Sequence, residues 1–317
     1  MPMVYSSTGA IVVDKILSDA GGQADVYHHG TKEVVKIFHA PVDDECYKLT
    51  KLMMLGAYEA IRKVATVPEG LLYDSRGLVG YRMRLAKDCI ALREILSIEV
   101  QRQYRLSLCA IVELFIEFHT ILKMMHETGF VVGDLHADNV LVNLHAPKGQ
   151  RVMFIDVDGF GYYDKVGNEY FPVTALSAEV EHPRLQTQSL SGKALHRCHY
   201  DRDWFAFALH FAQVLIGLSP YAAGSVPGVF TEDERKKRGL TVMSPLVRLE
   251  AKYLPMYQRM GTFTEEVLGN WLTLTARGEF PLGVLTEYLL PHIVRCPKCH
   301  FETRASYWCP KCATVLQ

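Results

Sequence analysis

The stretch FVVGDLHADNVLVNLHAPKGQRVMFIDVDGF, residues 130–160, decides how the chain is read. Acidic clusters sit at its two ends, joined by two apolar runs and a turn. Asn139 opens the run Val140, Leu141, Val142; Pro147, Lys148, Gly149 and Gln150 make a turn; Val152, Met153, Phe154 and Ile155 then lead into Asp156. Turn-forming residues between two β-prone runs predict an antiparallel hairpin, with Asn139 and Asp156 side by side at its open end. Asp134, five residues ahead of Asn139, enters that end from a loop. An amide oxygen and two carboxylates converging there provide hard ligands for magnesium and a base for a hydroxyl proton. The bland alternative is a surface hairpin with acidic ends, and the spacing weighs against it.

Bulk properties narrow the class. A chain of 317 residues, 49% of them apolar, can bury a sizeable core as one two-lobed unit or two domains. A formal charge of −1 argues against a nucleic-acid binder that works through bulk charge. The first ten residues lack the charged-then-apolar layout of a signal peptide. The longest apolar run, 204–218, contains His210 and Gln213 and is short for a bilayer, so it reads as a buried helix with no membrane role. Cys46, Cys89, Cys109 and Cys198 are scattered while the other four cysteines cluster at the end, a usage that suits a reducing cytoplasm.

Residues 11–38 read as three short strands separated by turns. Gly21 and Gly22 lie between two of them, where a glycine pair lets backbone N–H groups approach a phosphate but is also ordinary hairpin punctuation. Strand alternation puts Lys36 on the face of Val34 and Phe38, an awkward place for a cation without an anionic partner; an exposed edge strand is the alternative. Residues 42–63 have helical composition, with Asp43, Asp44 and Glu45 in the first turn and Gly56 to kink or end the helix. A hairpin over 71–83 follows. From Arg84 helices dominate: 91–99, a long amphipathic one over 106–126, and later 244–254, 263–276 and 282–290. The charge run 232–238 reads as a solvated face.

The order of a glycine-rich turn, Val-Val-Lys-Ile-Phe, Asp-Leu-x-x-x-Asn and Ile-Asp-x-x resembles the eukaryotic-like protein kinase superfamily over about residues 10–220. Within it, GGQADVY, GDLHADN and FIDVDGF are most similar to bacterial and phage-type Ser/Thr kinases, often found beside von Willebrand A-type and phosphatase partners in tellurite-resistance-type gene clusters. The resemblance implies an α+β bilobal fold, with a β-rich lobe over 1–85 and a helical lobe with its extension over 86–294. It implies a cytoplasmic enzyme transferring the γ-phosphate of Mg-ATP to Ser or Thr of a protein. By resemblance, Gly21 and Gly22 cover the ATP phosphates, Lys36 binds the α and β phosphates, Asp134 orients the acceptor hydroxyl and accepts its proton, and Asn139 and Asp156 hold Mg2+. The helix glutamate that pairs with Lys36 is Glu59 or Glu45, each of which also reads as a solvated helix charge. Ser177, seven residues before Arg184, keeps the spacing of a substrate-platform residue. Asp203 matches the aspartate that receives N–H bonds from the catalytic loop, with a helix N-cap as its alternative.

Departures from the family pattern are informative. Val132 and Gly133 replace the His-Arg before the catalytic aspartate, removing the cation on which a phosphorylated activation segment docks. His136 stands for the loop lysine, Val157 and Asp158 follow the metal aspartate in place of Phe-Gly, and Arg184 replaces the glutamate closing the activation segment, 162–185. In the tail, 295–317, Cys296, Cys299, Cys309 and Cys312 form two CxxC knuckles separated by nine residues, a pattern for one tetrahedral Zn2+ that resembles a zinc ribbon. So short a piece has no core of its own, and metal binding, on the order of 10–16 kcal/mol, would hold it together. Two other functions compete: a small-molecule kinase, which GDLHADN alone would fit, and a scaffolding pseudokinase, against which the retention of Lys36, Asp134, Asn139 and Asp156 weighs.

Overall fold

The structure is a computed structural model and describes residues 3–6, 9–13, 16–18, 23–40, 43–185, 187–228, 231–258, 260–304 and 308–316. Gly21 and Gly22 lie outside the described residues, as does the side chain of Glu45.

Seven strands make the first sheet: β1 (Met3–Ser6), β2 (Gly9–Val12), β3 (Ile16–Ser18), β4 (Ala24–His29), β5 (Glu33–Phe38), β6 (Gly70–Asp74) and β7 (Gly77–Arg84). Their spatial order is β2-β1-β6-β7-β5-β4-β3. Alternation along the strands splits the apolar residues between two faces. Val4, Ile11, Val13, Val35, Leu72 and Val79 close one side, whereas Val34, Phe38, Tyr81 and Met83 join the main core. Lys36 is buried on the second side and pairs in register with Tyr81 of β7. The two strands approach so closely that a Cβ on Gly80 would lie 2.0 Å from the Lys36 carbonyl oxygen, so this position accepts glycine alone.

The helix predicted over 42–63 is two helices, α1 (Asp43–Met54) and α2 (Tyr58–Arg62), with Gly56 in the break. The single helix predicted over 91–99 is likewise divided. Strand β8 (Ile90–Ala91) precedes α3 (Leu92–Ile95), and Ser97, in extended conformation, separates it from α4 (Ile98–Gln103). Next come α5 (Leu108–Glu127) and β9 (Phe130–Val131). The predicted hairpin forms from β10 (Val140–Val142) and β11 (Val152–Phe154), with Val140 opposite Phe154. The chain ahead of β6 pairs with β11, Thr66 N donating to Phe154 O at 2.9 Å and Phe154 N to Val64 O at 2.8 Å. The sheet region is thereby stitched to the segment carrying Asp156.

A second hairpin, β12 (Gly161–Asp164) and β13 (Glu169–Phe171), follows closely on Asp156. Helix α6 (Gly192–Ile216) starts exposed and is buried nearly all round from Asp201 onward. Its Phe207 and Phe211 pack against Phe115 and Phe118 of α5, the Phe118 and Phe207 ring centroids being 4.9 Å apart. Helices α7 (Glu232–Arg238), α8 (Leu254–Gln258), α9 (Thr262–Leu272) and α10 (Leu282–Leu289) complete the helical part, and β14 (Ile293–Arg295) and β15 (Glu302–Arg304) pair in the tail. Two expectations are corrected here. Residues 244–253 are not helical and Leu254 only opens α8: Arg248 exchanges both backbone hydrogen bonds with Ser225, which holds the chain in a bridge there. The run 232–238 is a helix whose Glu232, Asp233, Lys237 and Arg238 are exposed as expected, but Arg235 and Lys236 are buried and end on backbone carbonyls, Arg235 on Ala223 and Leu240, Lys236 on Glu179.

Candidate active site

The loop between β9 and β10 is held from below. Asp203, fully buried, accepts Val132 N at 2.8 Å and Gly133 N at 2.7 Å, and its Oδ2 also accepts His126 Nε2 at 2.9 Å. Because α6 begins at Gly192, Asp203 is a mid-helix residue and the N-cap reading falls. His210, two turns further along α6, donates to Leu135 O at 2.8 Å. The loop is therefore carried on two side chains of one buried helix. Gly133 has φ +71°, and a Cβ there would meet Val173 at 2.4 Å, so the arginine usual in the resembling family has no room.

Within the loop, His136 N donates to Asp134 O, and Asn139 Nδ2 donates to the same oxygen at 3.1 Å. The amide nitrogen of Asn139 is thus engaged, leaving its oxygen for a cation. Asp134 Oδ1 accepts Ser177 N at 2.7 Å, and His136 Nε2 stands 3.6 Å from its other oxygen. The Ser177 hydroxyl caps a short 3-10 turn by accepting Glu179 N. Asp156, just past β11, sits in the left-handed region at φ 59°, a conformation that aspartate tolerates better than most residues. Lys36, Asp134, Asn139, Asp156, Asp158 and His136 line one cleft. Asn139 and the half-exposed Asp156 offer it oxygen donors of the kind Mg2+ takes.

The partner of Lys36 is the main correction. Glu59 is 74% exposed and faces Arg62 at 3.7 Å on the outside of α2, so it does not meet Lys36. Lys36 Nζ instead donates to both oxygens of Asp158 at 3.0 Å and to Asp156 Oδ1 at 3.2 Å. Tyr81, opposite Lys36 on β7, donates its hydroxyl to Asp158 Oδ1 at 2.6 Å. Burial by itself would pull the Lys36 ammonium down, but Asp158 and then Asp156 outweigh it and its pKa is raised. Burial would push the Asp158 carboxyl up, and Lys36 with the Tyr81 hydroxyl holds it below the usual value. The Tyr81 phenol is well above its ordinary value, through burial and then the Asp158 charge.

Helix α1 also brings a cation to this cluster. Lys48 Nζ donates to Asp158 O at 2.8 Å and to Pro172 O at 3.0 Å, and the Tyr162 hydroxyl donates back to Lys48 O at 2.6 Å. Sequence reading missed Lys48, Tyr81 and His126. Lys48 carried a usable signal: it precedes the buried Leu52 by four residues, which puts it on the inward face of the helix.

The four tail cysteines form a second site. Their sulfur atoms all lie within 4.8 Å of one another, with Cys296 to Cys312 and Cys299 to Cys309 at 3.6 Å. Tetrahedral ligands at the usual Zn–S length of about 2.3 Å stand about 3.8 Å apart, so the donor set fits zinc. The two knuckles repeat one backbone pattern. His300 N donates to Cys296 O and Ala313 N to Cys309 O, and both residues are left-handed, at φ 57° and 56°. Burial pushes the Cys299 thiol up to about 12, whereas hydrogen bonds from Thr314 pull Cys312 down to about 6. A divalent cation would bring all four to thiolates. The tail docks on the helical region through Glu302, whose carboxylate accepts Leu108 N in the first turn of α5.

The architecture, a curled sheet over a helical body with the cleft between them, is the protein-kinase fold. Among solved structures, the kinase PK-1 of Cydia pomonella granulovirus is similar over 83% of this chain and 87% of its own, with a TM-score of 0.54 and 15% sequence identity. At that identity the likeness is one of fold. No family model matches the chain, and no curated protein matches it. Among the described residues, no helix is long and apolar enough to cross a membrane.

Proposed function

We propose that this protein is a Mg-ATP-dependent kinase that phosphorylates Ser or Thr hydroxyls of a protein substrate. The observation that carries this reading is the convergence of Lys36, Asp134, Asn139 and Asp156 on one cleft between the sheet and the helical body. Lys36 would hold the α and β phosphates, and by the sequence resemblance Gly21 and Gly22 would serve to cover them. Asn139 and Asp156 would hold Mg2+, which supplies charge neutralisation between the β and γ phosphates. Asp134 orients the acceptor hydroxyl and takes its proton as the oxygen attacks the γ-phosphorus; the bond to the β-γ bridging oxygen breaks and ADP leaves. A protein acceptor is favoured over a small molecule by the tie from Ser177 N to Asp134, which sets an extended segment beside the base as a platform for a peptide chain. The tail would be a zinc ribbon that secures the start of α5, and the phosphatase and von Willebrand A-type proteins are its candidate partners.

The deciding experiment follows γ-phosphate from labelled Mg-ATP into the protein itself or a generic protein acceptor. The expected result is transfer by the wild type that Asp134→Ala and Asp156→Ala both abolish. Nucleotide binding without transfer by the wild type would favour a pseudokinase, and transfer only to small-molecule acceptors would replace the protein substrate.

A further inference from the structure

Lys36 holds two carboxylates, and their surroundings differ. Asp156 is 46% exposed and faces the cleft; Asp158 is 12% exposed, touched on both oxygens by Lys36 and on one by Tyr81. A ligand entering the cleft can take Asp156 away from the lysine without burying anything new. It cannot take Asp158 without breaking an enclosed, fully hydrogen-bonded pair. We infer that Asp158 is the positioning residue for Lys36, the anchor that aims its ammonium into the cleft, and that Asp156 is the exchangeable partner released to the nucleotide's metal. This rests on the kinase reading above and deepens it by naming how the phosphate-binding lysine is set.

Glu59, the candidate helix glutamate whose side chain is described, takes no part in this arrangement. Asp158 lies two residues beyond Asp156, in the 3-10 turn Val157–Gly159. Lysine anchor and metal ligand therefore move as one piece, with Tyr81 fixed by the β5–β7 register directly across from Lys36. Helix α1 contributes Lys48, and that cation is taken by the carbonyls of Asp158 and Pro172. Swinging α1 outward would break those carbonyl contacts but leave the Lys36–Asp158 pair intact, so helix displacement does not unset the lysine here.

The test is a two-by-two comparison of wild type, Lys36→Met, Asp158→Asn and the double variant, read by equilibrium Mg-ATP binding and by steady-state kinetics. Asp158→Asn keeps the shape and removes the charge. It should raise KM for ATP roughly tenfold while leaving KM for the protein acceptor within about twofold. In the Lys36→Met background it should change nucleotide affinity by less than about twofold, because a residue acting only through Lys36 has nothing left to position. An equal loss in both backgrounds would overturn the proposal and make Asp158 a direct ligand of metal or nucleotide. An unchanged KM for ATP in Asp158→Asn would also overturn it. Should Asp158→Asn fail to fold, Tyr81→Phe, which keeps the carboxylate and loses one of its hydrogen bonds, decides the matter: a selective rise in KM for ATP supports the anchor and no change overturns it. Failure of the kinase reading is separate and visible in the wild type as an absence of transfer, and the anchor is then still decided by the nucleotide-binding arm of the comparison.

Discussion

Lys48 Nζ ends on the main-chain oxygen of Asp158, 2.8 Å away, so α1 brings a cation to the segment that holds Lys36. The acid that meets Lys36 lies in the turn just after Asp156, and Lys48 donates to two carbonyl oxygens.

Lys48→Met should therefore loosen the structure without disarming Lys36. Removing the ammonium leaves the carbonyls of Asp158 and Pro172 without this donor, a cost of about 1–3 kcal/mol. Urea denaturation should show that loss, while the ATP KM changes far less than in Asp158→Asn. A variant that loses ATP affinity as badly as Asp158→Asn would mean that Lys48, too, sets the lysine.

Activity should not require a phosphorylated activation segment. The docking arginine is replaced by Gly133, and the segment is tied by other means: Thr174 N to Gly159 O at 3.1 Å, Ser177 N to Asp134 at 2.7 Å, and Arg93 bridging Asp138 to Glu179 at 2.7 and 2.6 Å. Phosphatase-treated protein, its state checked by mass spectrometry, should keep its transfer rate. Glu179→Gln, at a half-exposed bridge, should lower kcat/KM for the acceptor roughly two- to fivefold, the effect of ~0.5–1 kcal/mol. Inert dephosphorylated protein would refute the idea.

Mild acid should destabilise the fold. Burial pulls His182 down to about 4, helped by Arg184 and Lys236, and burial does the same to His199. The unfolded chain binds protons on both near its ordinary value of about 6.5, and the fold refuses them. Their contribution is therefore complete above about pH 6.5 and is lost as the pH falls towards 4. Denaturation midpoints at pH 7.5, 6.0 and 5.0 should decline in that order, and a flat series would contradict this account.

The tail should bind one zinc ion per chain. Cys309→Ser should abolish stoichiometric zinc measured by mass spectrometry of the metal, and a strong chelator should lower the thermal midpoint of the whole protein, since Glu302 caps α5. Glu302→Ala, with the metal retained, should cost about 1 kcal/mol, the usual worth of such a cap. A chelator that strips the metal without moving the midpoint would show that the tail folds separately.

What could be read from the chain came from short-range rules. The hairpin over Val140–Val142 and Val152–Phe154, the buried face of Lys36, and the two cysteine knuckles all follow from spacing of two, three or a few residues, where backbone geometry leaves few choices. The same rules misjudged 244–253, where a backbone pairing with Ser225 overrides helical composition, and two residues of 232–238, Arg235 and Lys236, which are drawn inward by carbonyls elsewhere in the chain.

Sequence by itself determined the chemical inventory of this protein: Lys36, Asp134, Asn139, Asp156 and four clustered thiols. Only the tertiary structure decided who partners whom. Asp158 meets Lys36 across 122 positions of chain, and Asp203 reaches Gly133 across 70. Periodicity carries no information over such separations. The choice between Glu59 and Asp158 was made by which carboxylate the packed sheet and 3-10 turn bury beside the ammonium, and which one α2 leaves in water.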